Sequence, residues 1–285
     1  SPSKTINPYL ICAHHVDHNP PVVGALGPNT GPRASTWRMY FGQKVPGFPA
    51  HPHRGFETIT IVRKGVVDHA DSMGNSARFG EGDVQWLSAG RGILHSEMFP
   101  LLKQDEPNPL ELFQIWLNLP ARSKMVKPDF KMFWADEIPM HYIRGAQGSV
   151  EVQCIVGAPD VAAGRLPPTP PADSWAAVPG ADVAIWIIKM APGATWTLPP
   201  ALGNGTKRQL FYFEGDAISI DGRQVDARSA IEMRCTEPIE LVNGAKASEL
   251  LMLQGRPIGE PIVQDGPFVM NSADEIAQAY ADYRL

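Results

Sequence analysis

The order of apolar and polar positions along this 285-residue chain predicts β-structure throughout. Short apolar or alternating segments are interrupted about every 8 to 12 residues by Gly, Pro, Asp or Asn, which is typical of all-β sandwiches and barrels. The candidate strands of the first half are Arg38–Phe41, Phe56–Val62, Val66–Ala70, Asp83–Leu87, Ile93–Met98 and Leu112–Leu119. Those of the second half are Val150–Val156, Val183–Lys189, Gln209–Phe213, Ala217–Ile220 and Leu250–Gln254.

Turn and linker signals divide the chain between these strands. The segment DSMGNS (residues 71–76) has the composition of a turn. The Ala- and Pro-rich segment at 157–180 predicts a surface excursion that carries no chemistry. Pro, Gly and Gln interrupt the strands at Pro139–Gly148, so we expect two domains, one over 1–140 and one over 141–285.

The end of the chain carries the only clear helix signal. Ser272 can cap a helix, and Glu275 stands three residues later, as in a capping box. Ile276, Ala279 and Tyr280 then share one face at helical spacing. The sequence therefore predicts an all-β protein with a short C-terminal helix.

Composition and charge narrow the function classes. The 26 glycines and 28 prolines disfavour long helices. A net charge of −5 lacks the basic face that direct nucleic-acid binding needs. There is no apolar run of the roughly 18 residues that a membrane helix requires, and SPSKTINPYL has no signal-peptide core. Cys12, Cys154 and Cys235 are too few and too scattered for a disulfide framework, so we expect buried thiols and a cytoplasmic protein, or a nuclear one in a eukaryote.

The eight histidines are distributed unevenly, and none follows His141. Chemistry that depends on histidine must therefore lie in the first half. His51-Pro52-His53 and His95-Ser96-Glu97 are both i, i+2 pairs, and on a strand this spacing puts both side chains on one face. Two such strands facing each other inside a barrel would bring three imidazoles and one carboxylate to a point.

This donor set predicts one mononuclear divalent metal ion. Imidazole suits Fe, Cu, Ni and Zn, whereas the carboxylate favours harder ions such as Fe(II) or Mn(II). An octahedral ion held by three nitrogens and one oxygen keeps open positions for a substrate or dioxygen. Each pair alone would more often be a solvated or structural feature than a set of ligands; their joint occurrence favours a metal.

Glu57 is the rival carboxylate. It follows His53 by four residues and would share its face if the strand were regular. HxH, three residues and then Glu is also similar to the first metal motif of the cupin superfamily, and GDVQWLSAGRGILH resembles the second. Spacing alone leaves the choice between Glu57 and Glu97 open.

Longer motifs carry a more specific resemblance. The stretches HPHRGFETIT, GDVQWLSAGRGILHSE and GEPIVQDGPFVMN closely resemble the pirin family, and LFQIWLNLP and NPYL are similar to pirin segments as well. The resemblance covers nearly the whole chain. It implies a bicupin: two stacked antiparallel β-barrels, with metal only in the N-terminal barrel.

The resemblance also implies a ligand set and a favoured metal. Its three histidines and one glutamate fall on His51, His53, His95 and Glu97, which leaves Glu57 as a supporting carboxylate. Fe(II) is the favoured ion, with Mn, Ni, Cu or Zn as alternatives. Glu97 is then also the candidate catalytic base.

Arg54 and Arg91 flank the ligand segments. They could attract an anionic substrate, or they could cap loop carbonyls, and the sequence leaves both readings open. After NPYL, where pirin relatives tend to carry an acidic pair, this chain reads Ala13-His14-His15. For His14, His15 and His18 we expect an exposed polar loop, with proton carriers of the pocket as the alternative.

Three further residues are expected to be structural. His69 lies beside the predicted turn, where we expect it to be exposed or bonded to backbone. Trp86 and Trp116 are expected to be core residues rather than partners of a cofactor.

Two functions follow from the resemblance. In the first, the protein is a metal-dependent dioxygenase of the quercetinase type, which opens a flavonol or a related aromatic or enol substrate with O2 and releases carbon monoxide. In the second, it is an iron-containing redox sensor that binds a protein partner, either a transcription factor or a metabolic enzyme. The fold does not decide between these two functions, because function depends on the site and its surroundings. The sequence favours the dioxygenase only slightly.

Overall fold

A computed structural model describes residues 5–21, 45–145, 147–158 and 165–284, and the statements below concern this part of the chain. The candidate strand Arg38–Phe41 lies outside it. The described sheets are antiparallel, and one α-helix follows them, which confirms the predicted all-β class with a C-terminal helix. No helix in these ranges has the length and apolar character needed to cross a membrane.

The chain forms two compact units. Over the described residues, unit 1 comprises 11–21, 45–135 and 260–284, and unit 2 comprises 5–10, 136–145, 147–158 and 165–259. A single division after residue 140 would place 260–284 in the second domain, whereas the structure packs this segment within unit 1.

Hydrogen bonds explain why the C-terminal segment belongs to unit 1. The Val269 N–H donates to the Arg54 carbonyl at 3.0 Å, and the buried Lys124 Nζ donates to the Val269 carbonyl at 2.9 Å. Lys124 also donates to the Gly55 carbonyl and to Asn118 Oδ1, at 2.8 Å each. The segment carries its own small core, formed by Phe268, Met270, Ile276 and Ala279.

Unit 1 contains two main sheets and a hairpin. In spatial order the first sheet consists of β1 (Tyr9–Asn19, of which residues 11–19 belong to unit 1), β8 (Asn108–Asn118), β3 (Phe56–Lys64), β6 (Val84–Ser88) and β9 (Asp129–Phe133). The second consists of β2 (Gly47–His53), β7 (Ile93–Met98), β4 (Val66–Asp71) and β5 (Ser76–Gly80). A 3₁₀ turn (Ala121–Ser123) follows β8, and the C-terminal segment adds β20 (Val263–Asp265), β21 (Phe268–Met270) and α1 (Ala273–Arg284).

Unit 2 repeats the two-sheet plan. Its first sheet consists of β10 (Met140–Arg144), β11 (Ser149–Val156), β12 (Ala184–Met190), β19 (Ser248–Gly255), β14 (Lys207–Glu214) and β17 (Ser229–Met233). Its second consists of β13 (Thr195–Leu198), β18 (Ile239–Asn243), β15 (Ala217–Ile220) and β16 (Arg223–Asp226). A 3₁₀ turn (Trp175–Ala177) lies within the predicted excursion, anchored by the Trp175 indole N–H, which donates to the Arg256 carbonyl at 2.7 Å.

The interiors of the two units differ in polarity. The space between the sheets of unit 2 is filled by a continuous apolar cluster that includes Val152, Trp186, Leu210, Leu250 and Met252. In unit 1 the apolar clusters are smaller: one is built from Val62, Val67, Phe79, Phe99, Leu110 and Leu112, and another from Leu87, Ala89 and Ile93. Buried polar side chains, among them His53, His95 and Glu97, share this interior and form the candidate site.

Local signals at the turn and the helix are confirmed. Asp71 Oδ1 accepts hydrogen bonds from the backbone N–H groups of Met73 at 2.9 Å and Asn75 at 3.1 Å, and Gly74 has a φ of 84°. This is the side-chain-to-backbone bonding that favours Asp and Asn in turns. At α1, Ser272 Oγ accepts from the Glu275 N–H at 3.3 Å and Glu275 Oε2 accepts from the Ser272 N–H at 2.9 Å, which completes the capping box.

Candidate metal centre

Strands β2 and β7 place three histidines on one inner face of unit 1. His51 and His53 stand at i, i+2 on β2, and His51 lies directly opposite His95 of β7. Pro49 and Pro52 are compatible with β2 because it is an edge strand of its sheet. A bulge between Phe48 and His51 shifts the register just before the first histidine.

The three imidazoles converge. Among the described residues they form the one group whose ligand atoms all lie within 4.8 Å of one another and could hold a metal ion. His51 Nε2 and His53 Nε2 are 3.1 Å apart, and the His95 ring centroid is 4.4 Å from that of His51 and 4.9 Å from that of His53. His51 Nδ1–H donates to the Pro49 carbonyl at 2.8 Å, which leaves its Nε2 lone pair for an ion.

Hydrogen bonding and burial make the cluster suitable for a cation. Neither ring nitrogen of the buried His95 has a hydrogen-bond partner among the described residues. Burial, with the neighbouring His51 imidazole adding to it, lowers the pKa of His53 to about 3. Burial also lowers the pKa of His95 well below its usual value, with His53 contributing next. His53 and His95 are therefore neutral imidazoles near pH 7, the form that binds a metal.

Glu97 lies next to the histidine cluster on β7 and is 1% exposed. Its side chain points inward, on the same face as His95. Its Oε1 accepts from Thr60 Oγ1 at 3.1 Å and its Oε2 accepts from Gln114 Nε2 at 2.7 Å. The carboxylate is not part of the group of mutually close ligand atoms, so its assignment as the fourth ligand remains a prediction.

Glu57 lies on the other face of its strand. The expectation of a regular strand from His53 to Glu57 is wrong, because β2 ends at His53 and β3 begins at Phe56, with Gly55 between them at a φ of 85°. Thr60 points inward to Glu97, so Thr58 shares its face and Glu57 does not. The Glu57 carboxylate instead accepts from the Trp86 indole N–H at 3.1 Å.

The two arginines differ in their contacts. Arg54 donates from NH1 to Asp282 Oδ2 of α1 at 2.8 Å, so its guanidinium is tied to the C-terminal helix. Arg91 is exposed, and its backbone N–H donates to the Val126 carbonyl at 2.8 Å. Attraction of an anionic substrate by either residue remains a prediction.

His69 is the inner residue that sequence reasoning missed. The expectation of an exposed or backbone-bonded ring is wrong: His69 is buried, and its Nε2 is 3.1 Å from Asp71 Oδ2. Its Nδ1 is 3.3 Å from Gln85 Nε2, and its ring centroid is 5.4 Å from that of His95. The alternation of Val67, His69 and Asp71 on β4 was the available signal.

The N-terminal histidines lie on a strand. The expectation of an exposed loop is wrong for His14, which is part of β1, stacks on Phe113 at 4.2 Å and contacts Glu111 Oε1 at 3.2 Å. His15 lies edge-on to Phe48 at 6.3 Å, and His18 is exposed.

The tryptophans and cysteines divide into core and site residues. Trp86 is fully buried, and all three cysteines are free and buried, as predicted. Trp116 is only half-buried and lies edge-on to His53 at 5.4 Å, so it lines the site rather than the core.

Comparison with known proteins identifies the family of this chain. The Pirin family model matches residues 26–117, and the model of the Pirin C-terminal cupin domain matches residues 185–285. A pirin-like protein of Caulobacter vibrioides is 34% identical over 238 residues, which is 84% of this chain and 79% of that protein. The chain belongs to the pirin family.

Two further comparisons concern pirin relatives with a catalytic name. A Pseudomonas aeruginosa protein provisionally named as a quercetin 2,3-dioxygenase is 36% identical over 242 residues, covering 84% of this pirin and 79% of the relative. The crystal structure of quercetin 2,3-dioxygenase from Acinetobacter baumannii is similar with a TM-score of 0.77 and 27% identity, covering 98% of this chain and 85% of that chain.

Proposed function

We propose that this pirin is a metal-dependent dioxygenase of the quercetin 2,3-dioxygenase type, acting with O2 on a flavonol or a related enol or aromatic substrate. The observation that carries the proposal is the cluster of three converging imidazoles, two of them buried. Two relatives with that catalytic name support it.

His51, His53 and His95 would hold the ion, with Glu97 as the proposed fourth ligand and Fe(II) as the favoured metal. When bound, a divalent ion supplies Lewis acidity towards a substrate oxygen and a template for the two reactants. Mn, Ni, Cu and Zn also suit this donor set.

The side chains around the cluster are assigned proton transfer, orientation of the base and exclusion of water. The Glu97 carboxylate is the proposed base that accepts the substrate hydroxyl proton, since general base catalysis needs a group within hydrogen-bond reach. Thr60 and Gln114 orient it by binding both of its oxygens. Phe56 and Trp116, whose centroids lie 5.0 and 5.4 Å from that of His53, provide a planar apolar wall that excludes water.

A specific contact favours regulation as the second candidate function. Arg54, which follows His53 directly, is tied to Asp282 of the C-terminal helix, so a change at the metal could alter that helix and a protein partner bound there. In this reading the site is an iron redox sensor.

Reconstitution separates the two candidates. The protein is loaded with Fe(II) without oxygen, mixed with air and a panel of flavonols, and carbon monoxide is measured in the headspace. The oxygenase proposal predicts carbon monoxide from the wild type and none from His95→Ala. Substrate-independent oxidation of the iron without carbon monoxide would favour the sensor.

A further inference from the structure

Two polar side chains on the inner wall of unit 1 are buried without a visible role. Thr58 is 1% exposed and Gln85 is 0% exposed. Thr58 Oγ1 and Gln85 Oε1 have no hydrogen-bond partner within the described ranges of the chain. A buried polar group left unsatisfied costs about 1–3 kcal/mol, so such groups call for an explanation.

Strand pairing shows that both side chains face the histidine cluster. Thr58 lies between Phe56 and Thr60 on the inner face of β3, and these two residues contact His53 and Glu97 respectively. Thr58 is also directly opposite Trp116, which lies edge-on to His53.

Gln85 occupies the same wall one strand away. It is the cross-strand partner of Thr60, so it shares the inner face, and it contacts His69, whose ring lies against that of His95. Its orphaned Oε1 therefore belongs to a side chain on the same inner face of the sheet as Thr58.

The hydrogen bonds of His69 determine which atoms of this wall are free to donate and which are free to accept a hydrogen bond. The carboxylate of Asp71 can only accept, so His69 Nε2–H donates to it and Nδ1 can accept from the Gln85 amide N–H. Gln85 Oε1 is then left as an acceptor, while Thr58 can donate its hydroxyl proton. Turning the Gln85 amide over would place Oε1 against the Nδ1 lone pair and leave the amide N–H unpaired, so the hydrogen bond to His69 favours the orientation in which Oε1 is the unpaired atom.

We propose that Thr58 and Gln85 are positioning residues for a planar substrate with oxygen atoms on two adjacent sp² carbons, an enol or catechol arrangement. Thr58 donates to the ionised or carbonyl oxygen, Gln85 Oε1 accepts from a hydroxyl, and the rings of Phe56 and Trp116 lie along the apolar part. This assignment rests on the proposed function, because it takes the substrate to bind at the histidine cluster.

The substitutions Thr58→Val and Gln85→Leu remove the polar atoms at similar size. Thr58→Ser keeps the hydroxyl and is the conservative variant. Ser88→Ala is the matched control: Ser88 is also 1% exposed with an orphaned hydroxyl, but it pairs with Glu57 on the outer face of the same sheet.

The test measures ligand affinity, metal content and stability separately. Each full-length variant is loaded with zinc(II), which is redox-inert, its metal content is determined, and it is titrated under nitrogen with 4-nitrocatechol, followed by absorbance. We expect Thr58→Val and Gln85→Leu to retain zinc and lose about tenfold or more in affinity, whereas Thr58→Ser and Ser88→Ala bind like the wild type. The melting temperature of metal-free Thr58→Val should equal or exceed that of the wild type, because an unpaired hydroxyl has been replaced by a methyl group.

Unchanged affinity of Thr58→Val and Gln85→Leu for 4-nitrocatechol would overturn the assignment. If the melting temperature of Thr58→Val also fell, the Thr58 hydroxyl would have a purely structural role. Failure of the loaded wild type to bind 4-nitrocatechol would also overturn the assignment. Carbon monoxide release by the Fe(II)-loaded wild type is measured in parallel. Its absence, with Thr58-dependent binding intact, would remove the proposed oxygenase function and leave the binding wall in place.

Discussion

At the scale of single residues, the two glutamates of the first unit have opposite surroundings. Glu97 points inward beside His95 and is oriented by Thr60 and Gln114, whereas Glu57 points outward and binds the Trp86 indole. The i, i+2 spacing predicts the inward direction of Glu97 because it needs only regular strand geometry over two residues. The direction of Glu57 could not be predicted in the same way, since Gly55 interrupts the strand between it and His53.

This difference predicts unequal effects of the same substitution. Glu97→Gln should weaken metal binding and abolish turnover, because it removes the proposed fourth ligand and base. Glu57→Gln should retain the metal, with at most a penalty of about tenfold to a hundredfold in affinity or rate. Metal affinity by competition with a chelator checks both, and loss of the metal in Glu57→Gln but not in Glu97→Gln would reverse the assignment.

The depressed pKa of His53 predicts how the metal-free protein responds to pH. Its pKa falls from 6.5 to about 3 on burial, so between these values the unfolded chain binds a proton that the folded chain does not. The folded state is therefore stabilised above pH 6.5 and loses this contribution as the pH falls towards 3.

We expect the free energy of unfolding in urea to decrease between pH 7.5 and 5.5, and to decrease less in His53→Gln, which has no titrating ring. The window lies above the range in which the carboxylates titrate; Glu111, for example, has its pKa lowered to about 2 by His14, Lys64 and Arg63, despite the opposing effect of its burial. Equal slopes in wild type and His53→Gln would contradict the prediction.

The buried position of His69 and its contacts could not be predicted from single residues and their spacing. Its hydrogen-bond partner Gln85 lies on a different sheet and 16 positions away in the chain, so the sequence around His69 does not predict this hydrogen bond. Asp71, two residues away on the same face of β4, indicated a possible partner for His69. Because Asp71 also begins the predicted turn, its composition was interpreted as a turn signal only.

At the scale of elements, strands with continuous apolar runs were predictable and polar or proline-containing strands were not. Phe56–Lys64 and Val84–Ser88 are buried along nearly their whole length and match candidate strands closely. Gly47–His53 contains two prolines, and Arg223–Asp226 is largely exposed, so neither has an apolar pattern. Edge position, which sequence does not reveal, is what permits the prolines of β2.

Lys124 connects the C-terminal segment to the loop after His53. It is buried, and its Nζ donates three hydrogen bonds, to Gly55, Asn118 and Val269. Burial lowers its pKa to about 8. Lys124→Met should lower the free energy of unfolding by about 2–4 kcal/mol, because buried acceptors lose their donor.

Urea unfolding checks this value, and faster amide hydrogen exchange at Val269 would localise the effect. Asp282→Asn is the control, since it weakens one ion pair of the same segment, whose Asp282 side chain is 35% exposed, and should change stability less than the loss of the buried lysine. A smaller loss in Lys124→Met than in Asp282→Asn would contradict the role of the lysine.

At the scale of the whole molecule, each unit is built from two main sheets, but the interiors of the two units differ in polarity. Unit 2 has one large apolar cluster between its sheets, whereas unit 1 has smaller apolar clusters beside buried polar side chains such as His95 and Glu97. The absence of histidine after residue 141 predicted that histidine-dependent chemistry would be confined to the first half. The return of 260–284 to unit 1 was not predictable, because strand and helix signals do not report which unit a terminal segment packs against.

The metal content of reconstituted protein tests the central claim most directly. After Fe(II) loading without oxygen and removal of excess ion, elemental analysis should give one ion per chain for the wild type and none for His95→Ala. The far-ultraviolet circular dichroism of the two proteins should be the same, because unit 1 has an apolar core apart from the histidines. Two tightly held ions per chain, or full retention by His95→Ala, would contradict a single centre built on His51, His53 and His95.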